Sequence, residues 1–281
     1  MHHLSLCAGI GGIDFGLKDL WEDFRTVAMV ERDAFSCACL VEAMERGALD
    51  QAPIYPDLHR FPWSRYRGLV DLVTSGFPCQ PFASSGKQRG EEDERYLWPV
   101  IRSGIELLRP AFAFFENVPG IATMPSMRDG GHSVLHNVLC DMEHMGYSAT
   151  ARLYTAAEVG ASHKRQRWFI LALSNSDIRT RTTWKPRRTD SEVSGEGGGL
   201  SAGQNEGEAR SIPRCVRTSW PVHQRHVPRD WERPKTIIPG VDGATDGVSR
   251  RMDRLAALGN SVVPAVVEHA FLDLYEALNE N

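Results

Sequence analysis

Five short apolar runs punctuate the first 174 residues: "HLSLCA", "TVAMVE", "VDLVTSGF", "AFAFFENV" and "RWFILAL". Each has the length of a strand, and helix-period text such as "VLHNVLCDMEHMG" stands between them. That alternation is the rhythm of βαβ units, in which a helix carries the chain back so that successive strands run parallel. The expected fold is α/β, a Rossmann-like, mainly parallel sheet flanked by helices. In such a sheet, ligands sit in the crevice beyond the carboxyl ends of the strands. The residues that follow each apolar run are therefore the ones to read for function.

The rhythm breaks after Ser174. From there to about residue 248 the text is poor in apolar residues and rich in Gly, Ser and charge, which reads as a loop-rich or partly disordered insert. Periodic apolar text returns in "RLAALGNSVVPAVVEHAFLDLYEAL", a C-terminal helix with Pro264 in its first turn and Asn260 or Ser261 placed to cap it. The expected organisation is a catalytic and cofactor-binding domain over residues 1–174, an insert over 175–248, and a segment over 249–281 that completes the first domain.

Composition narrows the function classes. No apolar run approaches the roughly 18 residues that span a bilayer, and the first residues lack a charged leader with a long apolar core. A soluble intracellular protein without a membrane partner is expected. The six cysteines, Cys7, Cys37, Cys39, Cys79, Cys140 and Cys215, include no C-x-x-C pair and no framework spacing. Neither a metal site nor a disulfide scaffold is expected. The net charge of -4 excludes a uniformly basic coat, so a nucleic-acid partner has to be met by a local patch. Two stretches offer one. Lys164 to Arg188 holds eight basic residues against the single acid Asp177, and Arg210 to Lys235 interleaves basic residues with Trp220, Trp231, His223 and His226. Between them "DSEVSGEGGGLSAGQNEGE" has five acids and no Lys or Arg, the composition of a tether.

Four constellations carry chemistry. In "LSLCAGIGGIDFGL" a strand runs into a glycine turn and then a helix, so Gly9, Gly11 and Gly12 let backbone approach a ligand near unpaired helix N–H groups. Asp14 occupies the third glycine position of the dinucleotide fingerprint, which this run therefore is not. Glu31 ends the next strand, where a carboxylate can accept both hydroxyls of a ribose. Cys79 lies in "GFPCQPF", between prolines that exclude a regular ladder strand and ahead of a Gly/Ser-rich loop, a setting that suits a nucleophile more than a core thiol. Glu116 ends "AFAFF", where flanking rings can desolvate it and raise its pKa toward proton donation. Arg165 and Arg167 in "RQR" fall two apart on one strand face and, as permanent donors, suit carbonyl or phosphate oxygens.

Taken in order, "CAGIGG", Glu31, "GFPCQPF", "ENV", "RQR" and "LGNSVVP" resemble the ordered motif set of DNA (cytosine-5) methyltransferases, over residues 4 to about 173 and 255 to 275. The resemblance implies a class I methyltransferase fold whose insert is a target recognition region. It also implies transfer of a methyl group from S-adenosylmethionine to C5 of a flipped-out cytosine, leaving S-adenosylhomocysteine. Cys79 would be the nucleophile, Glu116 the partner of the cytosine N3 edge, and Arg165 and Arg167 the supporting donors, with Arg167 nearest the base carbonyl. The cofactor would lie on Cys7, Ala8, Gly9, Ile10, Gly11 and Gly12, with Glu31 and Arg32 at its ribose, Asp57 and Leu58 near its adenine, Gly76 and Pro78 beside it, and Asn260, Ser261 and Val262 near its methionine end. Cys7 stands where the family commonly has an aromatic residue, which leaves adenine stacking to Phe77 or another ring. The segment from Phe82 to Arg95 resembles a loop that closes over DNA, with Ser85, Lys87 and Arg89 as contacts; Arg225 and Arg229 serve the second basic stretch. The implied partner is double-stranded DNA, bound by a monomer in the cytoplasm of a prokaryote or as a phage product, in the chemistry of restriction-modification systems. A tRNA-directed relative and a catalytically silent nucleic-acid binder are the alternatives.

Overall fold

A computed structural model describes residues 1–78, 96–126, 131–161, 163–176, 186, 257 and 259–280. The elements are β1 (His2–Leu6), α1 (Gly12–Leu17), β2 (Arg25–Val30), α2 (Ala34–Glu45), β3 (Ile54–Tyr55), β4 (Leu72–Ser75), α3 (Trp98–Leu108), β5 (Phe112–Asn117), α4 (Val134–His144), β6 (Tyr147–Thr155), β7 (Gln166–Ser174) and α5 (Pro264–Asn279). The strands form one seven-stranded sheet in the order β3-β2-β1-β4-β5-β7-β6. The pairs from β3 across to β5 are parallel, and β7 is antiparallel to both β5 and β6. The strand order reverses between β1 and β4, so the crevice of an open α/β sheet opens above their carboxyl ends.

The sequence rhythm predicts parallel strands, and β7 departs from it. The cause is the connection. Residues 156–165, a 3-10 turn over Ala156–Val159 closed by Gly160 at φ +89°, join β6 to β7. A link of that length cannot hold the helical crossover that a parallel pair needs. β6 itself is absent from the apolar pattern because "YSATARLYT" buries deeply only Tyr147 and Tyr154, while its other residues stay half-exposed.

β5 explains the layering. All six of its residues are buried and they alternate between two cores. Ala113 and Phe115 join Ile101 and Ile105 of α3 and Val138 and Met142 of α4 on one face. Phe112 and Phe114 join Leu17 of α1 and Val267, Phe271 and Leu274 of α5 on the other. The sheet is thus covered on both sides, as an apolar, largely parallel sheet requires.

The helix α5 begins differently from the sequence expectation. Val263 is its N-cap, Pro264 occupies the first turn, and no side chain caps it. Asn260 and Ser261 belong instead to a separate turn in which Ser261 N donates to Ala257 O at 2.8 Å. The helix is fixed by packing rather than by a cap. A Cβ on Gly16 would lie 2.6 Å from both Pro264 O and Val267 Cβ, and one on Gly12 would lie 2.8 Å from Val262 O. Gly12 therefore also serves close packing of the returning chain, a demand that the glycine turn alone does not reveal.

Candidate active site

Beyond β1 the chain turns sharply. Cys7, Gly9 and Gly11 all have positive φ, at +51°, +56° and +85°. Gly9 and Gly11 accept that geometry without Cβ strain, and Ala8 N is tied to Val30 O at 3.1 Å. Glu31, immediately after β2, faces this turn. Its Oε2 accepts from Gly9 N at 2.6 Å, and its Oε1 accepts from Arg32 N and Asp33 N, each at 2.8 Å. One carboxylate so binds the ends of β1 and β2 together. A Cβ on Gly9 would meet nothing within 4 Å, so the turn opens onto free space. Ile10 lies between the two positive-φ glycines. Burial pushes the Cys7 thiol up to about 12, which makes it a poor nucleophile.

The neighbouring strand ends extend this rim. Asp57 caps the 3-10 turn after β3 by accepting from His59 N at 2.9 Å, and Arg60 Nε stands 3.6 Å from its carboxylate. Leu58 beside it is buried. Phe77 is a core residue. It is 3% exposed and packs 5.7 Å from Trp98 and 6.2 Å from Phe115, centroid to centroid, so its ring is not offered for stacking on an adenine.

β5 and β7 bring the charged groups together. Glu116 is 8% exposed, and its Oε1 lies 2.7 Å from Arg167 Nε. Burial raises the Glu116 pKa, while Arg167 and then Arg165 pull it down. Burial and the two arginines thus act on this carboxyl in opposite directions. Gly76, after β4, leaves room for it: a Cβ there would approach Glu116 Oε2 to 3.4 Å. Arg165 lies just outside β7 and donates from Nη2 to Gly259 O at 2.7 Å. The two arginines that the sequence treats alike thus have different partners.

The returning segment meets both halves of this arrangement. Gly259 takes the hydrogen bond from Arg165, Asn260 is exposed, and Val262 packs against Gly12. Asn117, which the sequence reading passed over, is 3% exposed and bridges β5 to the chain after β4. Its place beside Glu116 in "ENV" was the available signal. Cys79, Ser85, Lys87, Arg89, Arg225 and Arg229 lie outside the described residues; Pro78 is the last described residue before Cys79. Among the described residues no three His, Cys, Asp or Glu side chains converge to hold a metal, and no helix is long and apolar enough to cross a membrane.

Residues 1–220 match the family model of C-5 cytosine-specific DNA methylases. The chain is 32% identical over 173 residues to the type II methyltransferase M.PspPI of a Psychrobacter species, an alignment covering 60% of this chain and 39% of that protein. It is 31% identical over 172 residues to M.NgoMIV of Neisseria gonorrhoeae, covering 61% of this chain and 51% of the relative. The alignments thus span about half or less of these relatives. Among solved structures, the Entamoeba histolytica methyltransferase EhMeth superposes with a TM-score of 0.56 at 14% identity, over 99% of this chain and 98% of that one. A DNA modification methyltransferase encoded in an Escherichia coli prophage superposes at 0.50 with 22% identity, over 63% and 47%. These likenesses show a shared fold.

Proposed function

Because the chain belongs to the C-5 cytosine-specific DNA methylase family, we propose that it methylates C5 of cytosine in double-stranded DNA, with Cys79 as nucleophile and S-adenosylmethionine as methyl donor. The observation that carries this reading is the buried Glu116 carboxyl held 2.7 Å from Arg167 Nε at the end of β5, beside the strand end that leads to Cys79. The residues at the rim fit the donor. The positive-φ turn at Gly9 leaves open space, Glu31 supplies a carboxylate there, and Asp57 and Leu58 follow β3, the strand paired with β2.

Carbon 5 of cytosine is too weak a nucleophile to take a methyl group directly. The Cys79 thiolate adds to C6 and makes C5 enamine-like. Negative charge then develops toward N3 and O2. Glu116, its pKa raised by burial, holds a proton for N3, and Arg167 offers a fixed cation to O2. When bound, S-adenosylmethionine supplies an electrophilic sulfonium methyl to C5. C5 then loses its proton to a base, the C6–S bond breaks, and Cys79 leaves as thiolate. Neither C6 nor N3 can be reached in a stacked pair, so the nucleotide leaves the helix at a cost of a few kcal/mol. Phosphate contacts from the basic stretches around residues 164–188 and 210–235 offset that cost. The relatives' bacterial sources and type II names support a role in a restriction-modification setting in the cytoplasm.

Duplex DNA carrying 5-fluorocytosine tests the reading, because fluorine cannot leave C5 as a cation and the C6–S bond then persists. With S-adenosylmethionine present, the protein is expected to remain attached to the DNA through denaturing electrophoresis. Cys79→Ala should abolish the adduct, while Cys7→Ala and Cys140→Ala retain it. An adduct on another cysteine, or methylation of tRNA and not of duplex DNA, would overturn the assignment.

A further inference from the structure

The outward face of α4 carries a stripe of imidazoles and a thiol. His136, Cys140 and His144 recur at intervals of four, and His132 continues that spacing just ahead of the helix. Residues four apart stand one above another on a helix surface. Val134, Val138 and Met142 turn the other way, into the core shared with β5. The stripe is accordingly open to solvent: the three histidines are exposed and Cys140 is half-buried.

Within the stripe one pair is brought together. Cys140 Sγ lies 3.4 Å from His136 Nε2. The His136 ring is held in place from the other side, because it stacks on the ring of His132 with centroids 4.4 Å apart and planes 30° apart. His132 is itself tied back, its carbonyl accepting from Ser126 N at 2.7 Å, and His136 N donates to Ser133 Oγ at 3.2 Å. Imidazole nitrogen and thiol sulfur thus meet without rearrangement. Zinc-type bonds of about 2.0–2.1 Å to nitrogen and about 2.3 Å to sulfur, set at the tetrahedral angle, place the two donor atoms about 3.6 Å apart. The observed separation is close to that bite.

We infer that His136 and Cys140 chelate a divalent cation of the zinc class on the outer face of α4. Ligands four apart on one helix are the spacing by which zinc enzymes take two histidines from a single helix. Thiolate and imidazole select such an ion over magnesium or calcium, which take oxygen donors. His136 binds through the lone pair of Nε2, with the ring proton on Nδ1. Cys140 binds as the thiolate, and its proton passes to solvent. Among the described residues no third His, Cys, Asp or Glu side chain converges on the pair, so water fills the remaining positions. A site with open positions is exchangeable, unlike the closed four-ligand sites that hold structural zinc.

Cobalt(II) tests the assignment, because it takes zinc's tetrahedral sites and, once bonded to a thiolate, absorbs in the near ultraviolet by sulfur-to-cobalt charge transfer. Anaerobic titration of the whole chain with cobalt(II) should raise this band, and zinc(II) should then remove it while a large excess of magnesium does not. Cys140→Ser should abolish the band, whereas Cys37→Ser and Cys39→Ser retain it. His136→Gln should weaken zinc(II) binding by at least about 10- to 100-fold, the loss that follows removal of even an outer partner of a metal ligand. The absence of a band, a band undiminished in Cys140→Ser, or unchanged zinc(II) affinity in His136→Gln overturns the inference. If a variant does not fold, the wild-type protein decides. Zinc(II) should slow iodoacetamide labelling of Cys140, mapped by peptide mass, and a labelling rate that zinc(II) leaves unchanged sinks the site.

Discussion

Gly16→Ala is a one-carbon change whose consequence is set by the backbone it would strike. The added Cβ would sit 2.6 Å from Pro264 O and 2.6 Å from Val267 Cβ, with Val267 Cγ1 at 2.8 Å. Carbon contacts are comfortable at about 3.5–4.0 Å, so α1 and α5 would have to part by roughly 1 Å. Two of these obstacles are main-chain or Cβ atoms, which cannot swing aside as a side-chain tip can. α5 cannot yield cheaply either, because Val267, Ala270, Phe271 and Leu274 are at most 1% exposed against the sheet. Overpacking of this kind costs about 1–3 kcal/mol. The better helix propensity of alanine returns up to about 1 kcal/mol, leaving a net loss of about 1–2 kcal/mol.

Urea unfolding with an unchanged m-value measures that loss, and amide exchange locates it. Gly9→Ala is the control. It strains a residue at φ +56° by about 1–2 kcal/mol, but its Cβ would meet nothing within 4 Å. Gly16→Ala should therefore speed exchange across residues 264–279, while Gly9→Ala leaves that helix protected. If α5 exchange is the same in Gly16→Ala and wild type, the interlock described here is wrong.

Glu31→Ala should weaken S-adenosylmethionine binding by about 1–3 kcal/mol, the range for hydrogen bonds to a charged group; wild-type affinity in calorimetry would exclude its ribose role. A second expectation concerns the buried cluster in which Ser5 Oγ donates to Asp14 Oδ2 at 2.9 Å and His3 Nδ1 lies 3.6 Å from Asp14 Oδ1. Burial raises the Asp14 carboxyl to about 6 and lowers the His3 imidazole to about 3. The native state holds the Asp14 proton more tightly than the unfolded chain, so that stabilisation is full below about pH 4 and is lost as pH rises to about 6. His3 acts in the opposite sense, losing stability as pH falls below its unfolded value. The stability of wild type minus that of Asp14→Asn isolates the carboxyl, and it should fall by about 2–3 kcal/mol between pH 4 and pH 6 and then level off; a difference independent of pH would refute it.

Much of the sheet could be read from the chain because its strands are buried on both faces and so appear as continuous apolar runs. "AFAFF" is the clearest case, with Phe112 and Phe114 on one core and Ala113 and Phe115 on the other. β6 could not be read, because half-exposed Ser148, Thr150 and Arg152 break any apolar pattern. The direction of β7 depends on a loop length whose meaning appears only once β6 is known. Glycine roles were similarly ambiguous. Gly9 and Gly11 shape the turn through positive φ, whereas Gly12 and Gly16 are required by Val262, Pro264 and Val267, at the far end of the sequence, and periodicity cannot register such a contact. The site residues were visible as strand-end charges, but the separate partners of Arg165 and Arg167 were not, since both appear simply as arginines in "RQR".

The segment over residues 259–262 gives this separation of arginines its consequence. The glycine turn and Glu31 lie at the ends of β1 and β2, while Glu116 and Arg167 lie at β5 and β7, on the other side of the reversal in strand order. Gly259 accepts from Arg165 beside the second group, and three residues later Val262 rests on Gly12 beside the first. A stretch of four residues so spans the crevice between the proposed methyl-donor rim and the proposed base-facing pair. Its two anchors are a main-chain carbonyl and a glycine-sized gap, neither of which tolerates a shift of about 1 Å without losing a hydrogen bond or creating a clash. The two halves are thus joined by chain that returns only after the insert, and Arg165 and Arg167 divide accordingly, one bonded to that returning chain and the other paired with Glu116.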